Sequence, residues 1–159
     1  MKYDIASRKD FMNIRVKTLT KYDEKTADRI RELLIQLSRS GKDRGEIPQE
    51  WFEDLITSPY HDLLIAVDDD GEIYGIATLS IIMGPIVRKV AYLEDFVVDQ
   101  SLRGHGLGTI LWTAMLSWAK GKGCTELCFT SGKGRESAQQ FYLNKGAEIY
   151  DTNYFRKTI

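Results

Sequence analysis

An α/β domain on a mixed, mostly antiparallel sheet, with a central β-α-β crossover and helices on both faces, is the fold this sequence predicts. Three observations carry that expectation. Two apolar runs flank Asp68-Asp69-Asp70-Gly71, and Asp-Gly between such runs is a strong hairpin signal. Segments of helical period alternate with segments of strand period, and Gly or Pro punctuates them. Residues Phe96 to Thr113 read as a β-branched strand, a polar turn, three glycines at alternate positions and an amphipathic helix. Antiparallel hairpins followed by one crossover give a mixed sheet with helices to cover it.

The elements follow in order. Residues 1–11 are charged and aperiodic, and are expected to form a leader or an extra edge element ahead of one domain over 12–159. Met12 opens an alternating run, Asn-Ile-Arg-Val-Lys-Thr-Leu, read as the first strand. Thr20 with Asp23 resembles a helix start, with a side-chain cap and an acid in the first turn. Ala27, Ile30, Leu34 and Leu37 then share one helical face. Ser38 to Glu46, with Gly41 and Gly45, is loop. Pro48 suits a first helical turn, Trp51, Phe52, Leu55 and Ile56 form the next apolar face, and Pro59 ends it.

Strands are expected over Asp62 to Val67, Glu72 to Ile82 and Lys89 to Val98, with a turn at Met83-Gly84-Pro85. The glycine turn leads into a helix to Lys120 whose buried face is Leu107, Ile110, Leu111, Ala114, Met115 and Trp118. Gly121 and Gly123 end it. A fifth strand, Cys124 to Thr130, precedes a short helix, Arg135 to Lys145, closed by Gly146. Glu148 to Tyr150 and Tyr154 to Lys157 read as a terminal hairpin, whose exposed strand could pair with a second chain to give a homodimer.

Composition narrows the function. With 159 residues and 43% hydrophobic content, a full core is within reach of a single domain. A net charge of −1 argues against a dedicated nucleic-acid binder. No apolar run approaches the roughly 18 residues of a membrane span, and the N-terminus lacks the apolar core of a signal peptide, so the expectation is a cytoplasmic protein. Cys124 and Cys128 on one strand are too far apart for a disulfide, and with two histidines, His61 and His105, no metal site is expected. The three aspartates of the hairpin turn read as a solvated turn.

Strand, glycine turn and helix make a phosphate cradle. Glycines admit close approach, the first N–H groups of the helix have no intrahelical partner, and the dipole adds positive charge. Two common phosphate motifs fail on spacing. From Gly104 the last position of a Gly-x-Gly-x-x-Gly fingerprint is Thr109, and the next strand ends at Phe129-Thr130 with no acid. A P-loop needs Gly-Lys-Ser/Thr, and Lys follows neither Gly106 nor Gly108.

Arg103-Gly104-His105-Gly106-Leu107-Gly108, after Leu93-Glu94-Asp95-Phe96-Val97-Val98, resembles the signature of the GNAT superfamily of acyl-CoA-dependent N-acetyltransferases. The run Arg135 to Gly146, with Ala138 three and four residues before Phe141-Tyr142 and a Lys145-Gly146 end, is similar to the family's second motif. The resemblance covers about residues 12–157 and implies the acyl-CoA N-acyltransferase fold, acetyl-CoA as cofactor and a small-molecule primary amine as acceptor. It further implies that the N–H groups of Arg103, Gly104, His105, Gly106, Leu107, Gly108 and Thr109 hold the pyrophosphate. On this likeness Phe96, Val97 and Val98 present backbone to the pantetheine arm, and Arg135 and Ala138 contact the cofactor. Arg135 stands where many members carry Asn. His105 reads as a spacer in the turn.

Attack of an amine on a thioester requires loss of a proton by the ammonium, donors for the oxyanion and a proton for the thiolate. Tyr142, matching the family tyrosine that faces the sulfur, is the expected acid; its spacing also suits a core aromatic. Glu94 is the expected base or amine binder. Strand alternation puts Glu94 and Asp95 on opposite faces, so that only one of them meets a given cleft. The alternatives are a non-catalytic acyl-CoA-binding or sensing module and a protein lysine or N-terminal acetyltransferase.

Overall fold

The computed structural model describes residues 13–38, 40–86 and 88–159. The expected leader, and the start of the first strand at Met12, lie outside the described residues. The chain divides into two compact units, residues 1–129 and 130–159.

The first unit carries the sheet. Its elements are β1 (Arg15–Thr18), α1 (Glu24–Leu37), α2 (Gln49–Thr57), β2 (His61–Val67), β3 (Ile73–Gly84), β4 (Arg88–Val98), a single 3-10 turn (Gln100–Leu102), α3 (Leu107–Gly121) and β5 (Leu127–Phe129). The strands lie in the order β1-β2-β3-β4-β5. Neighbours are antiparallel except β4 and β5, which are parallel and joined through α3. This is the expected mixed sheet with its crossover.

Alternation along the strands sorts two cores. Leu63, Ile65 and Val67 of β2 pack with Ala27, Ile30 and Leu33 of α1 and Phe52 of α2. Ala66, one residue out of phase, packs with Leu107 and Leu111 of α3. The helices therefore cover opposite faces. Gly75 of β3 lets α3 come close: a Cβ there would lie 2.7 Å from Leu111 Cδ1 and 3.1 Å from the Val97 carbonyl oxygen. At its other end α3 is tied to β2, because Trp118 Nε1 donates to Asp62 Oδ2 at 2.7 Å and Lys122 Nζ lies 2.9 Å from the same oxygen.

Local signals differ from expectation at four places. Asp23, rather than Thr20, caps α1: its Oδ1 accepts from the Thr26 N–H at 2.8 Å, and Asp23 stands four residues before the first buried side chain of the helix, Ala27. The buried stripe of α3 is Leu107, Leu111, Trp112, Met115 and Ala119, while Ile110 is exposed, because the sheet contacts a face centred on Leu111 and Met115. β5 is shorter than expected and excludes Cys124. In the hairpin turn, Asp68 Oδ1 accepts from the N–H groups of Asp70 and Glu72, and Gly71 takes a φ of +83°, so that carboxylate serves the turn itself.

The second unit contains α4 (Glu136–Asn144), followed by Gly146 in the left-handed region. No strand forms over 147–159, against the expected terminal hairpin. Ile149, Tyr150, Tyr154 and Phe155 are all exposed there. Alternation marks which side chains would share a face, but an isolated two-stranded hairpin is marginal without a third strand or a helix to pack on.

Candidate functional site

The site begins with an irregularity in β4. Opposite β3, Leu93 pairs with Leu79 and Asp95 pairs with Thr78, so Glu94 is the extra residue of a β-bulge. A bulge breaks the period-two rule. Glu94 and Asp95 do not part to opposite faces as expected; both line one cleft on the α1 and α2 side of the sheet.

That cleft has a volume of about 420 Å³. One wall is apolar, from Leu34, Ile47, Trp51 and Leu55, and the sheet supplies His61, Thr78, Ser80 and the two acids. Trp51 remains 68% exposed, whereas its neighbour Phe52 is 2% exposed and belongs to the core. On a nine-residue helix the two adjacent aromatics cannot both face the sheet, so Trp51 is left to the cleft. His61 Nδ1 and Ser58 Oγ are hydrogen bonded at 2.9 Å.

The two acids differ in setting. Glu94 is exposed on the rim, and Asp95 is half-buried. Burial pushes the Asp95 carboxyl above the ordinary aspartate range, opposed by a hydrogen bond from the Thr78 hydroxyl and by the charge of Arg44. Sequence reasoning did not find Thr78 or Trp51 as cleft residues, nor Arg44 as a charge acting on Asp95. The register that aligns Thr78 with Asp95 was the missing information.

Beyond the bulge, β4 runs on toward the glycine turn. The last β4–β5 partners are Leu93 and Phe129, the last residue of β5, so the pairing stops at the bulge. The Val98 carbonyl, expected to be available to a ligand, accepts from Arg103 Nε at 3.2 Å. Asp99 caps the 3-10 turn, and Gly104 and Gly106 follow with φ of +81° and +85°. Gly106 is the N-cap of α3, with no side-chain cap. A Cβ at either glycine would meet nothing within 4 Å. These glycines are needed for backbone conformation, and the space in front of them is open. His105 is exposed and turned onto its own loop, its Nδ1 hydrogen bonded with the Arg103 carbonyl at 3.0 Å. An uncapped helix start facing open space fits an anion such as a pyrophosphate.

In the second unit, Ala138 and Tyr142 lie on α4 and Arg135 is its N-cap residue. The Tyr142 ring meets Phe141 edge-on at 5.7 Å between centroids. Burial raises the Tyr142 phenol above its ordinary value, partly offset by Arg135, so the hydroxyl keeps its proton through neutral pH.

Residues 27–146 match the Acetyltransferase (GNAT) family. The chain belongs to that family. This GNAT chain is 36% identical over 103 residues to an aminoglycoside N(6')-acetyltransferase type 1 of Klebsiella aerogenes, a stretch covering 61% of the chain and 66% of the relative. A protein of the same description from Serratia marcescens is 26% identical over 111 residues, covering 67% and 76%. The fold is shared with an aminoglycoside acetyltransferase from an uncultured soil metagenomic sample, solved in complex with sisomicin. That structure gives a TM-score of 0.78 at 19% identity and covers 92% of this chain and 97% of the other. Among the described residues of this GNAT acetyltransferase, no helix is long and apolar enough to cross a membrane.

Proposed function

We propose that this chain transfers an acetyl group from acetyl-CoA to a primary amine of an amino sugar of the aminoglycoside class. The observation that carries the reading is the cleft itself: two carboxylates on one wall suit an ammonium, and the Trp51 face opposite suits the apolar face of a sugar ring. The aminoglycoside-modifying relatives supply the substrate class.

Acetyl-CoA supplies the activated acyl group when bound. The N–H groups of Arg103, Gly104, Gly106, Leu107 and Gly108 hold its pyrophosphate, those of His105 and Thr109 already donating to the Leu102 and Gly106 carbonyls, and Phe96, Val97 and Val98 lie along its pantetheine arm, with the Val98 carbonyl accepting from Arg103. Arg135 and Ala138 are the contacts expected from α4. Glu94 receives the amine, and Tyr142 gives a proton to the departing sulfur. The free thiols of Cys124 and Cys128 agree with a reducing, cytoplasmic setting. The exposed apolar side chains of the tail, Tyr150 and Phe155 among them, support self-association into a homodimer.

Thiol release from acetyl-CoA over a panel of aminoglycosides, polyamines, amino acids and lysine peptides tests the reading. Turnover is expected on aminoglycosides. Turnover on lysine peptides alone would overturn the acceptor class, and no turnover with clear stabilisation by coenzyme A would indicate a binding module.

A further inference from the structure

We infer that the two carboxylates of the β4 bulge divide the work at the acceptor amine, Glu94 on the rim holding the ammonium and Asp95, deeper beside Thr78, taking its proton. The inference rests on the acetyl-transfer reading above and reassigns the base within it.

The geometry separates the two groups. The bulge turns both into one cleft, yet Glu94 stays exposed while Asp95 is half-buried against the sheet. Asp95 faces Thr78 across the strands, and Thr78 is itself 9% exposed. Thr78 is the cross-strand partner of Asp95 and favours its charged form. A carboxylate has more acceptor sites than one neighbouring hydroxyl can fill, so Asp95, in the cleft lining, is able to accept a proton from the cleft. A half-buried carboxylate, less solvated in its charged form, suits a proton acceptor, whereas an exposed one serves as an ion partner for charged amines.

The groups facing Asp95 can be named by element. α1 and α2 present only apolar side chains to the cleft, such as Leu34 and Phe52. β3 presents Thr78 and Ser80, β2 presents His61, β4 presents Glu94, and Arg44 acts from the loop between the helices. The apolar wall raises the carboxyl and Arg44 with Thr78 restrains the rise, which favours proton uptake from an ammonium over that by an ordinary aspartate.

The protons balance. The ammonium loses two: the first passes to Asp95 Oδ and from there to water, and the second replaces the proton that Tyr142 gives to the sulfur. The nitrogen–carbon bond forms as the carbon–sulfur bond breaks.

Two measurements test the assignment. Carboxyl-carbon NMR of the protein alone is expected to show Asp95 titrating above the ordinary aspartate range; titration at or below that range overturns the inference whatever the acceptor. With sisomicin and acetyl-CoA, Asp95→Asn is expected to lower kcat by about 10²-fold or more and to abolish the acid limb of the kcat/KM profile. Asp95→Glu is expected to restore the limb in part, which a variant that had merely misfolded would not do. Glu94→Gln is expected to raise KM for sisomicin about tenfold, the effect of one lost ion contact, and to keep the limb. A limb lost in Glu94→Gln and kept in Asp95→Asn overturns the division. Wild-type protein inactive on sisomicin overturns the substrate reading, and the carboxyl titration still decides the state of Asp95.

Discussion

Arg29 Nη2 lies 2.6 Å from Asp99 Oδ2, and this pair joins α1 to the residue that opens the glycine cradle. The surroundings tighten the joint. Arg29 Nε also donates to the Ile73 carbonyl at 2.9 Å, Asp99 Oδ1 accepts from the Ser101 N–H at 2.8 Å, and Gln36 Oε1 accepts from the Gln100 N–H at 2.8 Å. One helix therefore walls the cleft with Ile30 and Leu34 and anchors the glycine turn with Arg29 and Gln36.

Asp99 is buried, which by itself raises its carboxyl, but the bonds from Ser101, Arg29 and Gln36 outweigh this and hold it well below the usual carboxylate range. A depressed folded pKa means that its stabilisation is present above the unfolded value of about 3.9 and is lost as pH falls below it. Asp99→Asn keeps an acceptor for Ser101 and removes the charge facing Arg29. The expected cost is about 2 kcal/mol at neutral pH. Urea unfolding from pH 7 to pH 3 is expected to show the gap between wild type and variant narrowing below about pH 4.

Gly75→Ala tests the approach of α3 to the sheet. The new methyl would press on Leu111, which has no exposed surface, and on the Val97 carbonyl. Overpacking of this kind costs about 1–3 kcal/mol, partly offset by the entropy a glycine gives up. Thermal unfolding is expected to show a lower Tm, and Leu111→Ala is expected not to add its full cost on top, since the two share one space.

Gly106→Ala tests the cradle. The left-handed conformation costs an L-residue about 1–2 kcal/mol, and the added methyl would stand in the open space beside the helix start. Coenzyme A at about 100 times its wild-type Kd adds roughly 2.7 kcal/mol to wild type. In the variant this stabilisation is expected to shrink by more than the loss in basal stability.

Tyr142→Phe tests the proton donor. Removal of one hydroxyl leaves the ring and its contact with Phe141. Coenzyme A is expected to stabilise the variant as it does wild type, while turnover limited by chemistry falls by about 10²–10⁴. Unchanged turnover would return Tyr142 to a packing role.

Much of this was legible in the residues. The Asp70-Gly71 hairpin, the Phe96–Thr113 cradle and the helix of Arg135 to Lys145 are local patterns, and local patterns survive without knowledge of partners. What escaped reading depends on pairing. The terminal run looked like strands because Ile149, Tyr150, Tyr154 and Phe155 have the composition for it, but composition cannot supply a third strand. Thr20 and Asp23 are both good caps, and only the position of Ala27 against the sheet selects the second. Trp51 and Phe52 were both placed on an apolar face, and the helix had room on the core for one. The acids were misplaced for a related reason: alternation assumes an unbroken ladder, and the break at Glu94 is visible only against Thr78 and Leu79.

The bulge makes β4 a strand of two parities. By register, Tyr92 and Glu94 reach the cleft face as even-numbered residues, whereas Asp95 and Val97 reach it as odd-numbered ones. Substitution can exchange the chemistry at any of these places, but it cannot change which side they serve. Only the gain or loss of a whole residue can do that. Deleting Glu94 would leave every residue after it facing as it does now and would empty one of the cleft's two charged seats. Deleting a residue beyond Asp95 would instead send the hydrophobic tail of the strand, Val97 included, to the wrong side of the sheet. The count of residues between Leu93 and Asp99 is thus under heavier constraint than the identity of most of them.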